Sequence, residues 1–216
     1  MRYILALEGI NLSGKSYIAN YIKQNLESDD FAVHIVSHNH KGKLDPLLYE
    51  KDYLTRSISE RLIMSFEDKI DMSREIESIF RHETKPNILV ILDRYIDSIY
   101  AYEQLFNIFI NDIIKAHSVF KDVLVIPDKT IYIQPTRKFI LENLMKCTKP
   151  NYHEQLMKDD HSIIDKLIYN YNKFYDNVLP RIKHIYPINV MRFINYDSNL
   201  QIEKVILDYI KNIFKV

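Results

Sequence analysis

Glycine is scarce in this 216-residue chain, which holds three where a soluble protein of this length would carry about 15. With so few, no glycine-rich linker or low-complexity tract interrupts it. Cysteine is scarcer still. The single Cys147 excludes an internal disulfide framework and fits a reducing, cytoplasmic compartment. An excess of either charge sign is also missing. Lys plus Arg and Asp plus Glu stand at 29 each, so no net field draws the chain to nucleic acid or anionic lipid. No run reaches the roughly 20 apolar residues of a membrane span. The apolar start, Met1 to Leu7, is too short for a signal segment and is followed at once by Glu8, so it reads as a buried strand. The length suits one domain over residues 1–216, burying about 70% of its unfolded surface.

What the chain does contain is a regular alternation. Apolar runs of strand length occur at Tyr3 to Glu8, Phe31 to Val36, Asn87 to Leu92, Thr130 to Ile133 and Val190 to Ile194. Segments of helical period lie between them: Lys15 to Leu26, Asp52 to His82 with a break near Asp71, Ile96 to His117, a helix starting near Thr136, another ending near Val178, and Leu200 to Phe214. A polar loop is expected over Ser37 to Lys51 and a polar hinge over Thr148 to Asp160. Strands alternating with helices predict βαβ units and a parallel sheet in an α/β fold.

Two of the three glycines sit in one window, Gly9-Ile10-Asn11-Leu12-Ser13-Gly14-Lys15-Ser16. The spacing is that of the phosphate-binding pattern G-x-x-x-x-G-K-[ST], with the required strand before it and helix after it. Backbone N–H groups of such a loop wrap phosphate oxygens, and the helix N-terminus adds its positive dipole end. Lys15 would reach the outer phosphates, and the Ser16 hydroxyl would join a Mg²⁺ shell. Binding of a nucleoside triphosphate such as ATP is therefore expected.

Asp93-Arg94-Tyr95 ends the strand beginning at Asn87. Ligands of a parallel sheet gather beyond the carboxyl ends of its strands, so this pair should face the same phosphates. Asp93 can hold Mg²⁺ or accept a proton, and Arg94 can grip a phosphate with two parallel hydrogen bonds.

Asp93-Arg94-Tyr95-Ile96-Asp97-Ser98-Ile99-Tyr100-Ala101-Tyr102-Glu103 resembles the D-R-Y-x-x-S-x-x-A-Y-Q signature of thymidylate kinases. Leu7-Glu8-Gly9 resembles the opening of that family, and Pro127-Asp128-Lys129-Thr130-Ile131-Tyr132-Ile133 its P-D-x-T-x-Y-L segment. The three blocks come in the family's order. The resemblance implies a five-stranded parallel sheet with helices on both faces, a lid at 146–160 and a homodimer. It also implies transfer of the γ-phosphoryl of ATP to dTMP or a related nucleoside monophosphate. Arg94 would then meet the acceptor phosphate, and Ser98 and Tyr102 the acceptor base.

Departures cluster on the acceptor side. Asn11 stands where the family has Asp or Glu, and Leu12 where one branch has arginine. No arginine occurs between Lys138 and Asp160, leaving Lys146 and Lys149 as candidate lid cations. Phe66 and Lys69 are the nearest counterparts of a base-stacking phenylalanine and its arginine, and Glu103 replaces a glutamine. His34, His38 and His40 cluster without an evident carboxylate or cysteine and read as a solvated or substrate-facing loop. Two further readings stay open: a deoxynucleoside kinase with Asp93 as base, and a catalytically weak regulatory relative.

Overall fold

The computed structural model describes residues 1–37, 53–196 and 201–216. Gly42, His38, His40, Pro46 and the expected loop after Ser37 lie outside them, as do the expected helix starts at Asp52 and Leu200. In chain order the elements are β1 (Arg2–Glu8), α1 (Lys15–Leu26), β2 (Phe31–Ser37), α2 (Ile58–His82), β3 (Asn87–Asp93), α3 (Ile96–Tyr102) and α4 (Ile110–Phe120). The chain continues through β4 (Lys129–Pro135), α5 (Arg137–Lys146), α6 (Tyr152–Asp159), α7 (Ser162–Lys173), α8 (Leu179–Ile182), β5 (Val190–Tyr196) and α9 (Ile202–Phe214).

The strands form one parallel sheet in the order β2-β3-β1-β4-β5. Both faces are covered, which is why the inner strands β1 and β3 are near-continuous apolar runs. Alternate residues of β1 enter opposite cores: Ile4 and Ala6 one, Leu5 and Leu7 the other. Helices α1 and α9 cover the second face through Ile18, Ile22, Ile206 and Ile210. A helix of twelve residues such as α1 is marginal in isolation. Burial of Ile18, Ile22 and Leu26 at about 1.5–3 kcal/mol each holds it. The other face is covered by residues of α2 to α8.

Four helix expectations need correction. α2 runs unbroken past Asp71, because its buried stripe Leu62, Phe66, Lys69, Ser73 and Ile76 keeps helical spacing throughout. The break lies before it, at Ser57, whose hydroxyl accepts from the Glu60 N–H while the Glu60 carboxylate accepts from the Ser57 N–H. The helix expected from Ile96 to His117 is two. α3 ends at Tyr102, a 3-10 turn covers Glu103–Phe106, and Asn107 takes a left-handed φ of 63° before α4.

The hinge over 148–160 contains α6, started by a capping box between Asn151 and Glu154. Finally, the helix reaching Val178 changes after Lys173 into a π turn over Phe174–Val178. It precedes Pro180, which has no N–H to continue the ladder.

Candidate active site

β1 and β3 end side by side, with Leu7 opposite Asp93. The loops leaving these two strands therefore meet at one sheet edge. After β1 the chain turns through Gly9 at φ 147°, where a Cβ would sit 2.4 Å from the Ile133 carbonyl oxygen, so only glycine fits against β4. Leu12 at φ 64° and Gly14 at φ 87° complete the loop. After β3 the chain turns through Arg94 at φ 70°, its N–H donating to the Leu7 carbonyl at 3.0 Å. A left-handed arginine costs roughly 1–2 kcal/mol, strain of the kind that clusters at functional sites.

Lys15 is 5% exposed, and its Nζ donates to the Ile10 carbonyl at 2.7 Å and Ser13 Oγ at 3.0 Å. Burial first, and the Arg94 charge second, bring its pKa down to about 7. Ser16 Oγ donates to Asp93 Oδ2 at 2.5 Å, placing a hydroxyl and a carboxylate together at the mouth of the loop. Such hard oxygen donors suit Mg²⁺.

Asn11 is the junction of the site. Its Oδ1 accepts from the Arg94 guanidinium at 2.5 Å and from the Tyr102 hydroxyl at 2.6 Å. Its Nδ2 donates to Asn151 Oδ1 and Glu154 Oε1, each at 3.3 Å. Arg94 lies over the Tyr102 ring, 4.7 Å from its centroid. Among the described residues no carboxylate forms an ion pair with Arg94, whose guanidinium is held by the neutral Asn11 amide and the Tyr102 side chain.

Glu8 is fully buried and accepts from the Tyr95 N–H at 2.6 Å, Ser98 Oγ at 2.6 Å and Tyr171 OH at 3.2 Å. It fixes the backbone that follows Arg94. The sequence motifs assign Glu8 no role. Its one signal is a carboxylate in an apolar strand immediately before Gly9.

These groups border a cavity of about 710 Å³. Its wall includes Asn11, Leu12, Gly14, Lys15, Ser16, Asp93, Arg94, Ser98 and Tyr102, together with Lys69, Glu103 and Phe106. Residues 151–154 also line it. Glu103 Oε1 accepts from Ser65 Oγ at 2.7 Å and from the Tyr53 hydroxyl. Burial raises the Glu103 pKa.

Comparison with known proteins places this geometry. The model of the thymidylate kinase family matches residues 7–182. The chain belongs to the thymidylate kinase family. It is accordingly an ATP-dependent phosphotransferase acting as a nucleotide or nucleoside kinase. The thymidylate kinase of Mycoplasmopsis agalactiae is 24% identical to it, over 98% of this chain and 94% of its own.

The solved thymidylate kinase from Candida albicans superposes with a TM-score of 0.66 at 16% identity, covering 97% of this chain and 91% of that one. A deoxyadenosine kinase from M. mycoides, solved with dCMP and dCDP, gives 0.60 at 21% identity and 98% of both chains. At these identities the two structures establish the fold.

Within that family frame, most residues singled out from the sequence converge. Gly9 and Ser13 support the loop from behind without lining the cavity. Phe66 is a correction. It is fully buried in the core, stacked on Phe120 at 5.5 Å and near His117, and does not reach the cavity. The aromatic rings at the wall are instead Tyr17, Tyr53, Tyr102, Phe106, Tyr152 and His153.

Lys146 and Lys149 are exposed and are not brought to the wall either; Asn151 and Glu154 are the polar groups that segment contributes. Lys69 lines the cavity, its Nζ donating to Asp68 Oδ2 at 2.9 Å. His34, expected to have no carboxylate partner, meets Glu83 Oε2 at 2.9 Å. Among the described residues no cluster of three metal-ligating side chains occurs.

Proposed function

We propose that this protein transfers the γ-phosphoryl group of ATP to a deoxynucleoside monophosphate, dTMP or a related one. The observation that carries the reading is Arg94: a guanidinium at the cavity wall, oriented by Asn11 and Tyr102, with no carboxylate partner among the described residues. A guanidinium so placed is set to take the phosphate of an acceptor in a bidentate grip.

In this reading Gly9 to Ser16 cradles the donor phosphates and Lys15 leaves its loop contacts for them. An oxygen of the acceptor phosphate attacks the γ-phosphorus, and the bond from that phosphorus to its bridging oxygen breaks. The acceptor phosphate has a second pKa near 6, so it is already ionised at neutral pH and needs no base. Ser16 and Asp93 would hold Mg²⁺, which when bound neutralises phosphate charge. Asp93 tied to Ser16 is placed for that task rather than for deprotonating an acceptor hydroxyl.

We also propose that the 146–160 segment is the lid, and that the protein is cytoplasmic and homodimeric. Exposed Ile63, Phe109 and Val119 on and beside the packed pair α2 and α4 offer apolar surface for a second copy.

A coupled ATPase assay over nucleosides and deoxynucleoside monophosphates tests the reaction. Turnover is expected with monophosphates, and Arg94→Ala should lower kcat/KM by about 10²-fold or more. Turnover with nucleosides alone would replace this reading with a deoxynucleoside kinase. ATP binding with no turnover on any acceptor would leave a regulatory relative.

A further inference from the structure

The 3-10 turn Glu103–Phe106 breaks what the sequence presents as one helix, and the break has a geometric effect. Side chains three apart on a 3-10 turn eclipse one another. Glu103 and Phe106 therefore project to the same side, and both line the cavity that holds Arg94. Nothing in the phosphate machinery uses either residue.

Glu103 is 6% exposed. Its Oε1 is occupied by the Ser65 and Tyr53 hydroxyls, while among the described residues its Oε2 has no hydrogen-bond partner. Buried carboxylate oxygens are seldom left so, because an unmade hydrogen bond costs the full desolvation of the group. Phe106 stands in an aromatic wall with Tyr152, 6.3 Å away and nearly parallel, and His153 at 6.1 Å.

Resting on the monophosphate reading above, we propose that this turn reads the acceptor base: Phe106 stacks on it, and Glu103 selects bases bearing an exocyclic amino group over thymine. Burial works against the charged form of Glu103, but the two hydroxyls donating to Oε1 favour it, and in that ionised form the carboxylate only accepts. An amino group of cytosine, adenine or guanine supplies the missing donor to Oε2. Thymine offers a single N3–H flanked on both sides by carbonyl oxygens, each of which the carboxylate repels. The buried Phe66 removes the expected stacking residue, and Phe106 takes that place from a different element.

The test is kcat/KM for dCMP, dAMP, dGMP and dTMP, measured for the wild type, Glu103→Gln and Phe106→Ala after thermal melts establish that each variant is folded. The best amino-bearing acceptor should exceed dTMP by at least tenfold. Glu103→Gln, whose amide can both donate and accept, should shrink that ratio tenfold while leaving ATP KM unchanged. Phe106→Ala should raise KM for every acceptor about tenfold, as loss of one stacking partner does. A wild type preferring dTMP, or a ratio unmoved by Glu103→Gln, overturns the proposal while the monophosphate reading stands. Turnover of nucleosides alone sinks the monophosphate reading, and the nucleoside ranking then tests Glu103 separately. An unchanged acceptor KM in Phe106→Ala removes Phe106 from it.

Discussion

Lys15 is held between the Ile10 carbonyl and Ser13 Oγ with its pKa down to about 7, against an ordinary value of 10.5. A lysine whose proton binds less tightly in the folded state works against folding. The unfolded chain keeps that proton up to the ordinary value. Between pH 7 and 10.5 the folded state binds fewer protons, so the contribution of this group to stability rises with pH across that window. Below it, both states are charged and the cost of burying the ammonium is constant.

The loop thus carries a local instability at the cation that, in the proposed reaction, turns to the donor phosphates. Lys15→Met is expected to abolish turnover yet stabilise the fold by about 1–4 kcal/mol near pH 6, a gain that shrinks towards pH 10. Thermal melts across that range read it. A variant less stable than wild type throughout would mean that the two hydrogen bonds of Nζ outweigh its desolvation.

Among elements, the phosphate loop is fixed by two glycines with different duties. At Gly9 the obstacle is the Ile133 backbone of β4, which cannot yield without moving a strand. At Gly14, which starts α1 at φ 87°, nothing lies within 4 Å of an added Cβ, and the constraint is conformational alone. Gly9→Ala should therefore cost about 3 kcal/mol or more, and Gly14→Ala about 1–2 kcal/mol, read from urea midpoints. Equal losses would mean that the contact with β4 is not what fixes the first glycine.

The same contrast explains what the sequence made legible. Strands and phosphate loop could be read because their signals are local: apolar runs, a fixed spacing, a helix start. The turn at Glu103–Phe106 could not, because Tyr100, Ala101 and Tyr102 continue into apolar Leu105, Phe106 and Ile108 without a proline or glycine, and only the left-handed Asn107 marks the change. The place of Phe66 is hidden in the sequence for a related reason. Helical periodicity says which residues share a face of α2, not whether that face meets the core or the cavity, and α2 meets both through Phe66 and Lys69.

Over the whole molecule, one amide joins parts far apart in the chain. Asn11 belongs to the loop after β1, Arg94 and Tyr102 to the region after β3, and Asn151 and Glu154 to α6 and its cap. Both functions of the amide are in use: Oδ1 accepts from Arg94 and Tyr102, and Nδ2 donates to Asn151 and Glu154. An aspartate at this position would keep the first and lose the second, and would set a second carboxylate against Glu154. Asparagine rather than an acid suits this position, because the carboxylate is supplied by α6.

Loop, Arg94 and α6 are then linked, so under the proposed function occupation of the phosphate loop should alter acceptor affinity, and the reverse by the same factor. Calorimetry of acceptor binding with and without a non-hydrolysable ATP analogue measures that factor. In the wild type it should fall in the range of about 5–150-fold. In Asn11→Asp it should drop towards one, with α6 repelled from the loop while Arg94 keeps its acceptor contact. A factor unchanged by Asn11→Asp would show that the three regions respond to their ligands independently, and that the shared amide is a packing contact only.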